Sequence, residues 1–348
     1  MKAAVVVANE DVQYQEVEEP KVTKGTVKIK VRYSGICGSD IPRVLNHGVH
    51  FYPIVLGHEF SGDVVEVGEG VTKVKVGDRV SGAPLLPCMK CDDCQQGNFS
   101  LCKHYSFIGS RQQGSNADYV VVPEQNAVPF DKTVPYEQGA MFEPATVAIH
   151  GVFQNDYHGG EYVAILGGGT VGMFTMQWTK IFGSKKVVVF DISDERLALA
   201  KRLGATAGVN GMKTDAVAAI KELTGGEGVD IAIEFAGNKI THVQAVASCK
   251  KNGEVVYGGI TYDDVTYPNK VIQAILRGEL TIHGSWNSSI NPLPINEWKS
   301  GLEFMSTGQM NVNPLITHRV RLEDCKEVFE MMFNRTEVFT KVLFKPEM

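Results

Sequence analysis

A glycine-rich turn set between an apolar strand and a helix-forming stretch constrains this chain more than any other feature. Tyr162-Val163-Ala164-Ile165-Leu166 is a short, continuous apolar run. Gly167-Gly168-Gly169-Thr170-Val171-Gly172 follows directly, and residues 171–182 carry a helical pattern. The motif is Gly-x-Gly-x-x-Gly, which with 36 glycines in 348 residues means little by itself. Its position, after a strand and opening a helix, is what gives it weight. Gly167 permits a tight turn, Gly169 lets the backbone approach a pyrophosphate, and Gly172 lets helix and strand pack closely. Thr170 and Val171 then lie at a helix N-terminus, whose free N–H groups and partial positive charge suit phosphate.

Asp191 stands nineteen residues after Gly172, at the end of the next apolar strand, 187–190. A carboxylate there accepts hydrogen bonds from an adenosine ribose and repels a 2′-phosphate. The following residue is Ile192 rather than a basic side chain, so NAD is expected over NADP. Asp191 could instead cap the helix expected at 195–203, but Ser193 and Asp194 are better placed for that role. Arg196, on the same helix, completes the expected cofactor-binding set. Further apolar strands at 231–235 and 255–258 alternate with helical stretches, which signals a parallel sheet with crossover helices.

The residues before about 150 have a different rhythm. Val27-Lys28-Ile29-Lys30-Val31 and Asp63-Val64-Val65-Glu66-Val67 alternate with period two, and Val76–Val80 follows another turn. An antiparallel, barrel-like domain is expected there. From Ile282 onward come two helical segments and a terminal strand at 341–344. The expected fold class is therefore α/β: a Rossmann-type doubly wound parallel sheet at 149–286, inserted into a β-rich domain made of 1–148 and 287–348.

Four of the seven cysteines fall within fifteen residues: Cys88, Cys91, Cys94 and Cys102. Sulfurs this close in sequence can converge on one tetrahedral Zn²⁺. An iron–sulfur cluster also takes four cysteines, and a disulfide pair is the third option, though a chain of this size has little need of one. Structural zinc is the expected occupant, pinning a lobe at 86–104. Cys249 and Cys325 have no partners in sequence and read as small buried side chains.

With 43% hydrophobic and 21% charged residues, the composition supports packed cores and excludes disorder. The formal net charge of −6 argues against non-specific nucleic-acid binding. No apolar run reaches the ~18 residues that span a bilayer, and Met1–Val7 is too short for a signal peptide. A cytoplasmic protein with no membrane or nucleic-acid partner is the expectation.

Cys37-Gly38-Ser39-Asp40, Gly57-His58-Glu59 and Phe142-Glu143-Pro144 are each modest signals. In this order, with the four-cysteine lobe and the downstream nucleotide fold, they resemble the medium-chain zinc-dependent alcohol and polyol dehydrogenases over essentially the whole chain. Ser34–Arg43, His50–Pro53, Pro84–Cys88, Phe107–Arg111 and Gly284–Trp286 look like the galactitol-1-phosphate 5-dehydrogenase branch. The resemblance implies a GroES-like catalytic domain, two zinc ions per chain, NAD, a small polyol phosphate as substrate, and a homodimer or homotetramer. It implies Cys37, His58 and Glu143 as catalytic zinc ligands, with Glu59 an alternate ligand or water contact. Ser39 is then the hydroxyl that takes the substrate proton, and Asp40 orients His58. Many relatives carry a histidine five residues after the ligating cysteine. This chain has Pro42, which cannot relay a proton, so the proton must leave by another route.

A substrate phosphate wants a guanidinium or ammonium nearby. Arg43, His50 and Arg111 are the expected contacts, with Trp286 facing the substrate cleft or buried as core. The competing expectations are a dehydrogenase of a free polyol such as sorbitol or of another secondary alcohol, and a silent dinucleotide-binding sensor.

Overall fold

In the computed structural model, which describes residues 1–291 and 296–347, Thr26–Gly35 buries Val27, Ile29 and Val31 completely. Lys28, Lys30 and Arg32 keep partial exposure, the alternation of a strand with one face on a core. This strand pairs antiparallel with Glu59–Val67, with Tyr119–Pro123 and with the C-terminal strand Lys341–Lys345. Arg79–Gly82 and Ala127–Pro129 extend the sheet on one side, and Ile316–Arg321 on the other. Val27, Ile29, Val31, Phe60, Val64 and Val80 form the core beneath it.

Two features of this sheet position chemistry. Its register sets Gly35 opposite Glu59 and opposite Leu343. Two strand ends and the C-terminal strand thus meet where the chain turns into Cys37, and the Ile36 N–H donates to the Val342 carbonyl at 3.0 Å. The helix Cys325–Asn334 then buries Cys325, Phe329 and Met332 against Ile36, Val44, Leu56, Val342 and Phe344. Each large side chain fully withdrawn from water contributes roughly 1.5–3 kcal/mol, which anchors the C-terminal strand beside Cys37. One compact unit comprises residues 1–143, 288–308 and 312–348.

The second unit, 144–287 with 309–311, holds a parallel sheet. Its strand order is Ala207–Asn210, Lys186–Asp191, Tyr162–Leu166, Val229–Glu234, Cys249–Tyr257 and Thr281–Gly284. Counted along the chain that is 3-2-1-4-5-6, the doubly wound Rossmann arrangement. Helices cover both faces, so its strands read as continuous apolar runs rather than alternating ones: Val163, Ala164, Ile165 and Leu166 are all fully buried. The order reverses between Tyr162–Leu166 and Val229–Glu234, and in such sheets ligands bind at that reversal, outside the carboxyl ends of the strands. Cys249–Tyr257 starts six residues before the apolar run at Val255, because Lys250, Lys251 and Glu254 interrupt the hydrophobic pattern. Among the described residues no helix is long and apolar enough to cross a membrane.

Candidate active site and metal centres

The sulfurs of Cys88, Cys91, Cys94 and Cys102 all lie within 4.8 Å of one another. Three separations are 4.0 Å (Cys88–Cys94), 3.6 Å (Cys91–Cys94) and 3.9 Å (Cys91–Cys102). Four thiolates ~2.3 Å from one ion at tetrahedral angles stand about 3.8 Å apart. The four cysteines are free rather than bridged, and their spacing is that of a single enclosed ion. Backbone N–H groups point at the sulfurs: Lys90 donates to Cys88, and Cys88 and His104 donate to Cys102. The N–H groups of Lys90 and Cys91 hold the Cys88 thiol down at about 6, so it is ready as a thiolate at neutral pH.

The other cluster is built by the register described above. Glu59 opens the strand facing Gly35 with His58 just before it, and Cys37 follows two residues after Gly35. Cys37, His58 and Glu59 each offer a donor atom within 4.8 Å of the others. Gly35 is required here, since a Cβ on it would stand 2.3 Å from the Glu59 carboxylate. Glu143, expected as the third ligand, lies on the helix Phe142–Val152 and is 6% exposed; the structure groups Glu59 rather than Glu143 with Cys37 and His58, and Glu143 feels their charges. Burial pushes its carboxyl up to about 8, with Glu59 and Cys37 adding to the rise against the pull of His58. Burial likewise pushes the Cys37 thiol up to about 11, reinforced by Glu59 and Asp40. A thiol and carboxyls that cannot all ionise together in a buried space are what a divalent cation would relieve. The donor set of sulfur, imidazole and carboxylate suits zinc.

Asp40, 1% exposed, sits with Oδ2 at 3.5 Å from His58 Nδ1. That is within ion-pair reach and longer than a hydrogen bond, and neither atom has a hydrogen-bond partner among the described residues. With Nδ1 turned toward a carboxylate, Nε2 is the nitrogen left to ligate. Ser39 Oγ lies 3.2 Å from Cys37 Sγ, beside the donor atoms.

Lys341 is the residue that sequence reasoning missed. Its ammonium is 3% exposed, donates to Ile36 O at 3.0 Å and forms an ion pair with Glu59, itself 2% exposed. The signal was a lone lysine opening an apolar terminal strand, where an exposed end is the ordinary reading.

The dinucleotide turn has the expected stereochemistry. Gly167 takes φ +107°, and a Cβ on Gly172 would stand 1.8 Å from the Gly167 carbonyl. Gly169 precedes the first helical residue, Thr170, and nothing of the protein lies within 4 Å of where its Cβ would be. Protein packing therefore does not require glycine at 169, and the helix N-terminus is left open for an anion to approach. Asp191 Oδ2 accepts from Gly168 N at 2.8 Å, and Oδ1 accepts from Ile192 N and Ser193 N at 2.8 and 2.9 Å. Arg196 Nη1 lies 3.8 Å from Asp191, and Ser193 caps the helix by accepting from Arg196 N.

The phosphate candidates fall into one neighbourhood of the first unit. His50 is exposed; desolvation by its neighbours and the guanidinium groups of Arg111 and Arg43 hold its imidazole below its ordinary range. Arg111 lies 4.9 Å over the Tyr105 ring, while Arg43 donates to Asp40 at 3.0 Å. Trp286, in the second unit, is 42% exposed and is not a core residue.

Residues 23–132 match the family model for the alcohol dehydrogenase GroES-like domain, and residues 170–307 match that for zinc-binding dehydrogenases. The chain is 37% identical over 300 residues to galactitol 1-phosphate 5-dehydrogenase of Escherichia coli (strain K12), covering 85% of this chain and 86% of that protein. The chain belongs to the medium-chain zinc-dependent dehydrogenases. This dehydrogenase is also 30% identical to sorbitol dehydrogenase of Bacillus subtilis (strain 168), over 99% of its own length and 97% of the relative. Its structure superposes on the crystal structure of galactitol-1-phosphate dehydrogenase from Escherichia coli with a TM-score of 0.94. That match has 35% identity and covers 99% of this chain and 100% of the other. Zinc and NAD are the cofactors typical of the family, and the sites described above fit both.

Proposed function

We propose that this dehydrogenase oxidises a secondary hydroxyl of a polyol phosphate to a ketone, reducing NAD, with galactitol 1-phosphate yielding tagatose 6-phosphate as the leading substrate pair. The observation that carries the phosphate is that Arg43 and Arg111 both depress the His50 imidazole through their positive charge. Two guanidiniums within electrostatic reach of one imidazole make a neighbourhood suited to a dianion. The similarity to a galactitol 1-phosphate enzyme points the same way.

The roles follow from the chain's own residues. Cys37 and His58, with Glu59 or Glu143, would hold the catalytic zinc, and Cys88, Cys91, Cys94 and Cys102 the structural one. Bound there, the metal supplies Lewis acidity that lowers the pKa of a substrate hydroxyl. Ser39 takes the proton, and Asp40 keeps His58 in its ligating orientation. Pro42 closes the family's usual exit, so the proton passes from Ser39 to water. Asp191 and the turn 167–172 would hold the dinucleotide, which would supply the hydride acceptor. Asp191 favours NAD, because a 2′-phosphate would meet its carboxylate. The balance is alcohol plus NAD⁺ giving ketone, NADH and a proton.

A second reading, a free polyol such as sorbitol, is favoured by one contact: Arg43 already serves Asp40. NADH formation across matched polyols and their phosphates decides between them. The phosphates should give the higher kcat/KM, and Arg111→Ala should raise their KM at least tenfold while leaving sorbitol turnover unchanged. Sorbitol outrunning every phosphate would overturn the phosphate proposal.

A further inference from the structure

Glu234 ends the strand on the far side of the sheet's reversal point, and its carboxylate is fully buried. Register places it opposite Leu166, the residue before the glycine turn. Phe235 N donates to Leu166 O at 2.9 Å, and a Cβ on Gly167 would stand 2.8 Å from Ala236 N. The glycine turn and the loop 235–238 are therefore in contact. Glu234 fastens that loop from within: Oε1 accepts from Gly237 N at 2.9 Å and from the Thr241 hydroxyl at 2.8 Å. Its main-chain carbonyl accepts from Gly258 N and Gly259 N, both at 3.0 Å, so a third loop is tied to the same residue.

A buried carboxylate is costly where an uncharged side chain could do the packing. Here Oε2 has no hydrogen-bond partner among the described residues, faces His242 Nδ1 at 3.5 Å, and would be 2.6 Å from a Cβ at Gly259. Burial pushes this carboxyl up. Such a group, at the carboxyl edge of a parallel sheet and outside the chemistry assigned above, calls for a role.

The sheet order supplies one. Asp191 ends the strand on one side of Tyr162–Leu166, and Glu234 ends the strand on the other. With the pyrophosphate on the central turn and the adenosine ribose on Asp191, the nicotinamide half must extend toward the loop that Glu234 fastens. We propose that Glu234 is a positioning residue for the nicotinamide half of the cofactor, acting by holding the 235–238 loop through Gly237 and Thr241. This rests on the dinucleotide reading of the glycine turn.

The test measures NADH binding by fluorescence and AMP binding by calorimetry on the intact zinc-loaded protein. AMP occupies only the adenosine side, so a merely structural loss would weaken both ligands together. Glu234→Ala should raise the NADH Kd at least tenfold and leave AMP within twofold. Glu234→Gln, which keeps the accepting oxygen, should stay within threefold of the parent for both. Thr241→Val removes one donor and should weaken NADH about threefold with AMP unchanged, which keeps the test alive if Glu234→Ala does not fold. Unchanged NADH binding, or parallel loss of NADH and AMP, overturns the proposal. Failure of the parent protein to bind either ligand overturns the dinucleotide reading instead.

Discussion

Lys341→Met isolates the contact that most clearly ties the C-terminal strand to the metal cluster. The ammonium is 3% exposed and Glu59 is 2% exposed, so water cannot take over the pairing. Removing one partner of a buried ion pair costs about 3–5 kcal/mol, because the other charge is left uncompensated. The unit that contains both residues has roughly 200 residues. At about 2–4 °C per kcal/mol for a body of that size, the thermal midpoint should fall by about 6–20 °C. Glu59→Gln should also destabilise, by leaving the ammonium with Ile36 O and a neutral amide. In the double variant no buried charge remains at this pair, so its loss should fall short of the two single losses added together, by about 2–3 kcal/mol. Calorimetry on the parent and the three variants, zinc-loaded at pH 7, measures this. Additivity within about 0.5 kcal/mol would refute the interdependence of Lys341 and Glu59.

Two further outcomes follow from the geometry. On the proposed dinucleotide reading, Asp191→Ala removes an acceptor for the ribose hydroxyls, each charge-assisted bond contributing about 1.5–3 kcal/mol. The KM for NAD should therefore rise roughly 10- to 100-fold, and that for NADP should rise less; equal losses would remove the basis for NAD preference. The Cys88 thiol lies at about 6, below its ordinary value, so the thiolate is present above that pH and lost as the pH falls through it. Zinc uptake by the metal-free four-cysteine lobe, followed with a colorimetric indicator, should therefore weaken more steeply once the pH falls below about 6, where a proton competes for Cys88. An affinity with no steepening between pH 7.5 and 5 would contradict this.

Legibility from the sequence followed the range of the constraint. Backbone sterics fix the glycine turn within six residues: a Cβ at 172 collides with the carbonyl at 167, and no distant residue can change that. The four cysteines span fifteen residues and converge by local folding, and Ser193 caps its helix through a bond three residues long. Strands were readable wherever burial was one-sided or uniform, as at Thr26–Gly35 and Tyr162–Leu166. The early part of Cys249–Tyr257 was not, because Lys250 and Lys251 mask it.

The metal cluster was readable only in part. Cys37 and His58 are announced by their own neighbours, whereas Lys341 reaches Glu59 across 282 residues through strand register. Such a contact leaves no pattern in either segment, but charge accounting shows why the site needs it. Asp40, Glu59 and Glu143 are buried acidic groups, and the half-buried thiol of Cys37 is a fourth acting on them. Ionised together they carry four negative charges, and a divalent ion offsets two. Lys341 on Glu59 and Arg43 on Asp40 offset the other two. Arg43 therefore serves the metal site first, and of the two guanidiniums near His50 it is Arg111, stacked on Tyr105, that is better placed to meet a substrate anion.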